Sequence, residues 1–147
     1  MKLPCEVAVK SVVPAIRALL ARELTETYGM KQGEAADLLG ITQTAVSKYL
    51  HHVRGSVLSI EGEKEVQTLI MKTAASLVDG NLDRPSLALH ICTACNFIRK
   101  KRLMCELCKR ADPTLDVKQC NLCFLSSCDH LSRKEGSEKG AKYKGAK

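Results

Sequence analysis

Cysteines carry the clearest chemistry in this sequence. Eight of the 147 residues are cysteine, and six of them form Cys-x-x-Cys pairs. Each such pair lets two thiolates bind one ion from a single tight turn. Because nine residues separate the first two pairs, the spacing predicts a tetrahedral four-thiolate site, for which zinc is the commonest occupant. The predicted metal ligands are Cys92, Cys95, Cys105, Cys108, Cys120, Cys123 and Cys128.

The last three of these cysteines would serve a second ion. Cys120, Cys123 and Cys128 supply three soft ligands, and either His130 or the remote Cys5 is a candidate fourth. An iron–sulfur cluster stays open as an alternative to zinc, since thiolates hold clusters too and spacing does not distinguish them. Thiols without any metal are the third interpretation. A thioredoxin-like site is excluded because no strand–helix alternation surrounds any pair.

The cellular compartment is predicted from the same cysteines. Eight cysteines without a visible export signal favour a reducing compartment, and therefore the cytoplasm. Residues 1–20 are apolar, but Glu6, Lys10 and Arg17 interrupt any continuous hydrophobic run. No membrane-spanning segment is expected.

The charge distribution favours a polyanionic partner. The formal net charge is +7, and residues 131–147 hold six Lys or Arg against two Glu. Such basic excess suits nucleic acid. No Ser-His-Asp arrangement and no phosphate-cradling glycine loop is visible, so the sequence predicts a binding protein and not an enzyme.

Apolar residues at three- and four-residue spacing predict a series of helices in the first half of the chain. The first covers residues 12–28, with Ser11 as its N-cap. Gly40 closes a short helix over residues 32–39, and Thr42 caps a third helix.

A fourth helix is predicted from about residue 59 or 63 to residue 79, and from Pro85 onward the periodicity is lost. Residues 59–80 link the two halves and offer an apolar face for pairing with a second copy. That face consists of Val66, Leu69, Ile70, Thr73, Ala74 and Leu77.

Residues 32–50 have the pattern of a helix-turn-helix. Ala36 is small where two helices would cross closely, and Gly40 lies in the tight turn four residues later. The apolar residues that would fill the wedge between the two helices are Leu39, Ile41, Val46 and Leu50.

Polar residues remain on the outer side of the second helix, at the end that enters the major groove in this motif. Gln pairs with adenine, Lys reaches guanine or phosphate, and Ser and Thr serve backbone or base edges. The predicted DNA-binding residues are Thr42, Gln43, Thr44, Ser47, Lys48 and His51.

The segment Gly40–Leu50 resembles the recognition segment of the Cro-repressor-like (XRE-like) regulators. The opening Leu3-Pro4-Cys5-Glu6 and the later Pro14-Ala15-Ile16-Arg17 are similar to a group of small archaeal regulators of that family. The resemblance covers about residues 3–55 and implies a compact helical domain, major-groove binding and homodimers on palindromic operators. Lys31 departs from the Ser or Thr that the family often has as N-cap, which predicts a weaker cap.

The expected fold is mainly α, with a small helix-turn-helix domain and a small cysteine-rich module stabilised by metal. The expected function is sequence-specific binding of double-stranded DNA by a transcriptional regulator that senses metal or redox state. The alternatives are an RNA- or ribosome-associated zinc protein and an iron–sulfur redox protein with an attached helical domain. The expected organisation is a DNA-binding domain at 1–58, a linking helix at 59–80, a metal module at 86–130 and a disordered basic tail at 131–147.

Overall fold

The computed structural model describes residues 2–125, which are mainly helical and contain no β-strand within that range. The prediction of a mainly α fold is confirmed. Cys128, His130 and the predicted tail at 131–147 lie outside the described residues. The helices are α1 (Pro4–Lys10), α2 (Val12–Arg22), α3 (Gln32–Leu39), α4 (Gln43–Leu50), α5 (Lys64–Val78), α6 (Arg84–Lys100), α7 (Cys105–Ala111) and α8 (Leu122–Leu125), with a π-helical turn at Glu23–Thr27.

Helix α1 precedes the first helix that periodicity predicts, and it changes the role of Ser11. Pro4 lies in its first turn, and the Glu6 carboxylate accepts a hydrogen bond from the Leu3 amide at 2.7 Å. The Ser11 hydroxyl donates back to the Val7 carbonyl at 2.7 Å. Ser11 is the N-cap residue of α2, as predicted, but its side chain closes α1 and makes no cap hydrogen bond to α2.

The predicted helix at 12–28 is present, but its last turn is π-helical. The Thr25 hydroxyl donates to the Ala21 carbonyl at 2.9 Å, and the Tyr28 amide donates to the Glu23 carbonyl at 3.4 Å. A threonine that bonds a carbonyl of the preceding turn competes with the helical ladder. Gly29, with φ of +65°, then ends the element as predicted.

Helix α6 is the main element that sequence periodicity missed. The Asp83 carboxylate accepts a hydrogen bond from the Ser86 amide at 2.9 Å, and Pro85 lies in the first turn, where its missing N–H is not needed. Leu87 and Ile98 are buried on its inner face. The loss of regular structure predicted after Pro85 is therefore wrong, because cysteine, asparagine and arginine replace aliphatic residues on a face that is still buried.

Helix α2 lies at the centre of the described fold and packs against α1, α4, α5 and α6. Its residues Val12, Ile16 and Leu20 are fully buried. One hydrophobic cluster continues from α1 through α2 and α5 to Met104 and Cys108. The segment predicted to read DNA thus shares one core with the cysteine-bearing helices α6 and α7.

The apolar face of α5 faces that core. Val66, Ile70 and Leu77 are buried within the chain, where α5 packs against α2 and α6. The face predicted to pair with a second copy is therefore covered by α2 and α6 of the same chain. Any dimer must use a different surface.

Gly55, in the segment between α4 and α5, approaches α2 too closely for a side chain. Its φ is +76°, and a Cβ there would lie 2.7 Å from the Cβ of Ala18 and 2.7 Å from the Pro14 carbonyl oxygen. Gly80 has a similar φ of +73° but open space around it. The two glycines therefore form a matched pair.

We expect Gly55→Ala to destabilise the protein much more than Gly80→Ala. Both substitutions incur left-handed backbone strain of about 1–2 kcal/mol. Only Gly55→Ala adds an overpacking cost of about 1–3 kcal/mol, because the neighbour is backbone and cannot rotate away. Urea unfolding of the two variants gives the comparison, and equal losses of unfolding free energy would contradict the close approach.

Candidate nucleic-acid interface and cysteine clusters

Two caps set the geometry of α3 and α4. Gly40, with φ of +66°, ends α3 in the left-handed conformation, and the Ile41 amide donates to the Ala36 carbonyl at 3.1 Å. The Thr42 hydroxyl accepts a hydrogen bond from the Ala45 amide at 3.1 Å. Both predicted helices are present, and the predicted Gly40 and Thr42 caps are confirmed.

The backbone at the start of α3 is better hydrogen-bonded than its N-cap residue, Lys31, suggests. The Lys31 side chain makes no cap hydrogen bond, as predicted. The Glu34 carboxylate, however, accepts a hydrogen bond from the Lys31 backbone amide at 2.9 Å. This contact is half of a capping box, so an otherwise unpaired amide at the helix start is bonded.

The apolar side of α4 is anchored on two neighbours, since α4 packs against both α2 and α3. Leu39 and Val46 are buried, and Ile41 and Leu50 are half-buried, as expected of a wedge between helices. Tyr49 is also buried, at 4% exposure, although sequence reasoning did not assign it to the core. Its position three residues after Val46 was the available signal.

The opposite side of α4 carries the predicted DNA-binding residues. Thr42, Gln43 and Thr44 are exposed at its start. Ser47 and Lys48 follow one turn later and are half-buried, and His51 is exposed at the end of the helix. The Nδ1 atom of His51 lies 2.8 Å from the Ser47 carbonyl oxygen. The structure thus gathers all six residues along one helix.

Two unpredicted residues lie next to this face. A Cβ added to Gly40 would lie 3.5 Å from Nε of Arg84, so that exposed side chain lies beside the turn between α3 and α4. Gln43 Oε1 would lie 3.7 Å from a Cβ on Gly33, so Gln43 rests against α3. Arg84 is remote in sequence, and no local pattern could have placed it here.

The structure groups the cysteines differently from the spacing argument. Cys105, Cys108, Cys120 and Cys123 all line one cavity of about 30 Å³. Cys92 and Cys95 lie inside helix α6 and not on a tight turn, and neither lines that cavity. Of the four thiolates that spacing groups together, only Cys105 and Cys108 line this cavity, because Cys92 and Cys95 remain within helix α6.

The sulfur atoms of the cavity are close enough to interact electrostatically. Burial raises the pKa of Cys108, and the nearby Cys123 and Cys105 raise it further while Arg99 opposes them. Burial likewise raises the pKa of Cys105. In residues 2–125, no three side chains of His, Cys, Asp or Glu already stand in positions that would hold a metal ion.

A second cysteine group surrounds the buried guanidinium of Arg99, whose exposure is 5%. Nη1 of Arg99 lies 3.5 Å from Sγ of Cys5. Burial of Arg99 acts to lower its pKa. A hydrogen bond to Cys123 and the nearby Cys5 and Cys95 act in the opposite direction and outweigh burial, so the pKa of Arg99 is raised. Burial raises the pKa of Cys95 to about 11, although Arg99 acts in the opposite direction.

Arg102 fastens the second cysteine-bearing loop to the end of α6. Its φ is +61°, and its guanidinium donates to the Val117 carbonyl at 3.0 Å and to the Cys120 carbonyl at 3.4 Å. Its guanidinium carbon lies 5.5 Å from the ring centroid of Phe124. These contacts hold residues 117–124 beside α7, where the two cysteine pairs meet.

No family model matches this chain, and no curated protein or solved structure shows significant similarity to it. Within residues 2–125, no helix is long and apolar enough to cross a membrane. The function is therefore inferred from the α4 face and the two cysteine groups.

We expect Cys95 to react with iodoacetamide much more slowly than Cys92 in the folded protein. Both lie on α6, but Cys92 is exposed whereas Cys95 is partly buried with a pKa of about 11. At pH 8 a thiol of that pKa is about one part in a thousand thiolate, and the thiolate is the nucleophile. Mass spectrometry of the labelled peptide measures both rates, and guanidinium-unfolded protein, where they should converge, is the control. Equal labelling rates for Cys92 and Cys95 in the native protein would contradict the partly buried environment of Cys95.

Proposed function

We propose that this chain is a sequence-specific DNA-binding transcriptional regulator that reads double-stranded DNA with α4. One observation carries the proposal: a Thr42-capped helix presents polar side chains along one side while Val46 and Tyr49 anchor its other side. A helix that enters the major groove needs both properties, because its exposed groups must be held in fixed positions.

The residues at the start of α4 suit base-edge recognition. Gln43 would bond adenine, and Thr44 and Ser47 would contact base edges or backbone. Lys48 would reach guanine or phosphate, and His51 would contact phosphate at the end of the helix. Tyr49, the aromatic residue of α4, is buried, so this face offers no stacking platform of the kind that single-stranded RNA binders use.

Arg84 would add a phosphate contact from outside the two helices. It lies beside Gly40 at the turn, close to the first residues of α4. Glu34 and Asp37, by contrast, are exposed on α3. Negative phosphates are attracted to Arg84 and repelled by Glu34 and Asp37. The DNA backbone is therefore expected to pass the turn on the Arg84 side.

A sensing role for the cysteine region is part of the proposed function. Helix α6 carries Cys92 and Cys95, begins with Arg84 beside the α3–α4 turn and packs against α2. A change in metal or redox state that shifted α6 would be felt at the DNA-reading helix. The protein would act in the reducing cytoplasm, as a homodimer whose interface excludes the buried face of α5.

We expect Gln43→Ala to relax sequence specificity. Loss of a paired base-edge contact is worth about 1–3 kcal/mol, or about 5- to 150-fold in affinity for the preferred site. Gln119→Ala, at an exposed loop position away from α4, is the matched control. Titrations use a duplex selected from randomised DNA by the wild-type protein and an unrelated duplex. An unchanged ratio of the two affinities for Gln43→Ala would contradict the assigned face.

Arg84→Ala should instead weaken binding to every sequence alike. A phosphate contact contributes about one unit to the slope of log affinity against log salt, and this unit should disappear. Lys72→Ala removes an equal charge from the exposed side of α5 and should leave the slope unchanged. If both variants lowered the slope equally, Arg84 would have only a general electrostatic effect.

A further inference from the structure

We propose that Cys105, Cys108, Cys120 and Cys123 together bind one zinc ion as a structural four-thiolate site, and that Cys92 and Cys95 are not its ligands. This inference is independent of the DNA-binding proposal. It also replaces the ligand set that sequence spacing favoured with one that tertiary structure favours.

The first support is the meeting of two Cys-x-x-Cys pairs at one cavity. Cys105 and Cys108 belong to α7, and Cys120 and Cys123 belong to the segment that ends in α8. All four side chains line the same cavity of about 30 Å³. Two pairs that each offer two thiolates are the usual composition of a structural zinc site.

The four cysteines line one cavity without yet standing at coordinating positions, so metal binding requires their sulfur atoms to move closer together. A single zinc ion is the commonest occupant of a four-thiolate site and is the ion proposed here.

Charge provides the second support. When four thiols bind Zn²⁺, four S–H bonds break, four Zn–S bonds form and four protons pass to solvent, leaving a net charge of −2 at the site. Arg99, Arg102 and Lys2 also line the cavity, and its described lining contains no Asp or Glu. Arg99 is buried, whereas Arg102 and Lys2 are exposed. Positive side chains on the lining attract the negative charge of a metal-bound four-thiolate site. The lining thus suits the metal-bound charge.

The third support is the sparse packing of the segment that would be held. None of residues 109–125 is buried, and no helix forms between Ala111 and Leu122. A segment with so little apolar burial usually needs a metal or another covalent constraint to remain ordered. A zinc ion would join this segment to α7, and Arg102 already holds it by hydrogen bonds to Val117 and Cys120.

The test begins with metal analysis of the full-length protein purified without oxygen. We expect about one zinc ion per chain in the wild type and in Cys92→Ser, but a loss of at least ten-fold in zinc content in Cys120→Ser. Cys92→Ser is the matched control because it removes one thiol from a Cys-x-x-Cys pair outside the cavity.

Cobalt titration of the reduced wild-type protein keeps the test independent of variant folding. Four thiolates around Co²⁺ give intense thiolate-to-metal charge-transfer bands and tetrahedral ligand-field bands that saturate at one equivalent. Cys120→His should still bind cobalt, with its bands shifted because an imidazole replaces one thiolate. Circular dichroism of each variant checks that the helices are intact.

Three results would overturn the proposal. Loss of zinc from Cys92→Ser that equals or exceeds the loss from Cys120→Ser, with helices intact, would contradict the proposed ligand set. Iron with acid-labile sulfide would identify a cluster. A folded, reduced wild-type protein that binds neither zinc nor cobalt would leave these cysteines as thiols.

Discussion

The burial of α2 is the constraint on which the rest of this structure depends. Val12, Ile16 and Leu20 are fully shielded, and every surface of functional interest is held by an element that packs on this helix. Helix α4 lies against it and therefore has a fixed outward face. Helix α6 lies against it as well, so Cys92, Cys95 and Arg84 are positioned by the same support. The burial of such aliphatic side chains contributes about 1.5–3 kcal/mol each.

This shared support joins the α3–α4 region and the cysteine region in one core. A helix-turn-helix followed by an independent metal module would have two cores and a flexible join. Here one hydrophobic cluster continues to Met104 and Cys108, so the cysteine cavity is built onto the same core that holds α4. The side chain of Arg84, at the start of α6, lies beside the turn between α3 and α4. Packed helices therefore connect α4 and the cysteine cavity without a break in the core.

Sequence patterns predicted the features that depend on interactions among a few neighbouring residues. Gly40 acts through its backbone conformation and Thr42 through a hydrogen bond within its own turn, so α3 and α4 were predictable. Helix α6 was not predictable, because its buried face includes Arg99 and Asn96 where periodicity expects aliphatic residues. The grouping of the cysteines was not predictable either. Which Cys-x-x-Cys pairs meet depends on how α6, α7 and the loop at 112–121 pack, and spacing along the chain contains no such information.

Chemical-shift mapping tests most directly whether the outer side of α4 contacts DNA. Backbone amide spectra of the isotope-labelled protein would be recorded with and without a duplex selected by the protein itself. The largest shifts are expected at residues 40–48 and at Arg84, with the exposed side of α5 around Lys72 unchanged. Shifts concentrated elsewhere, with residues 42–48 unaffected at saturating DNA, would contradict it.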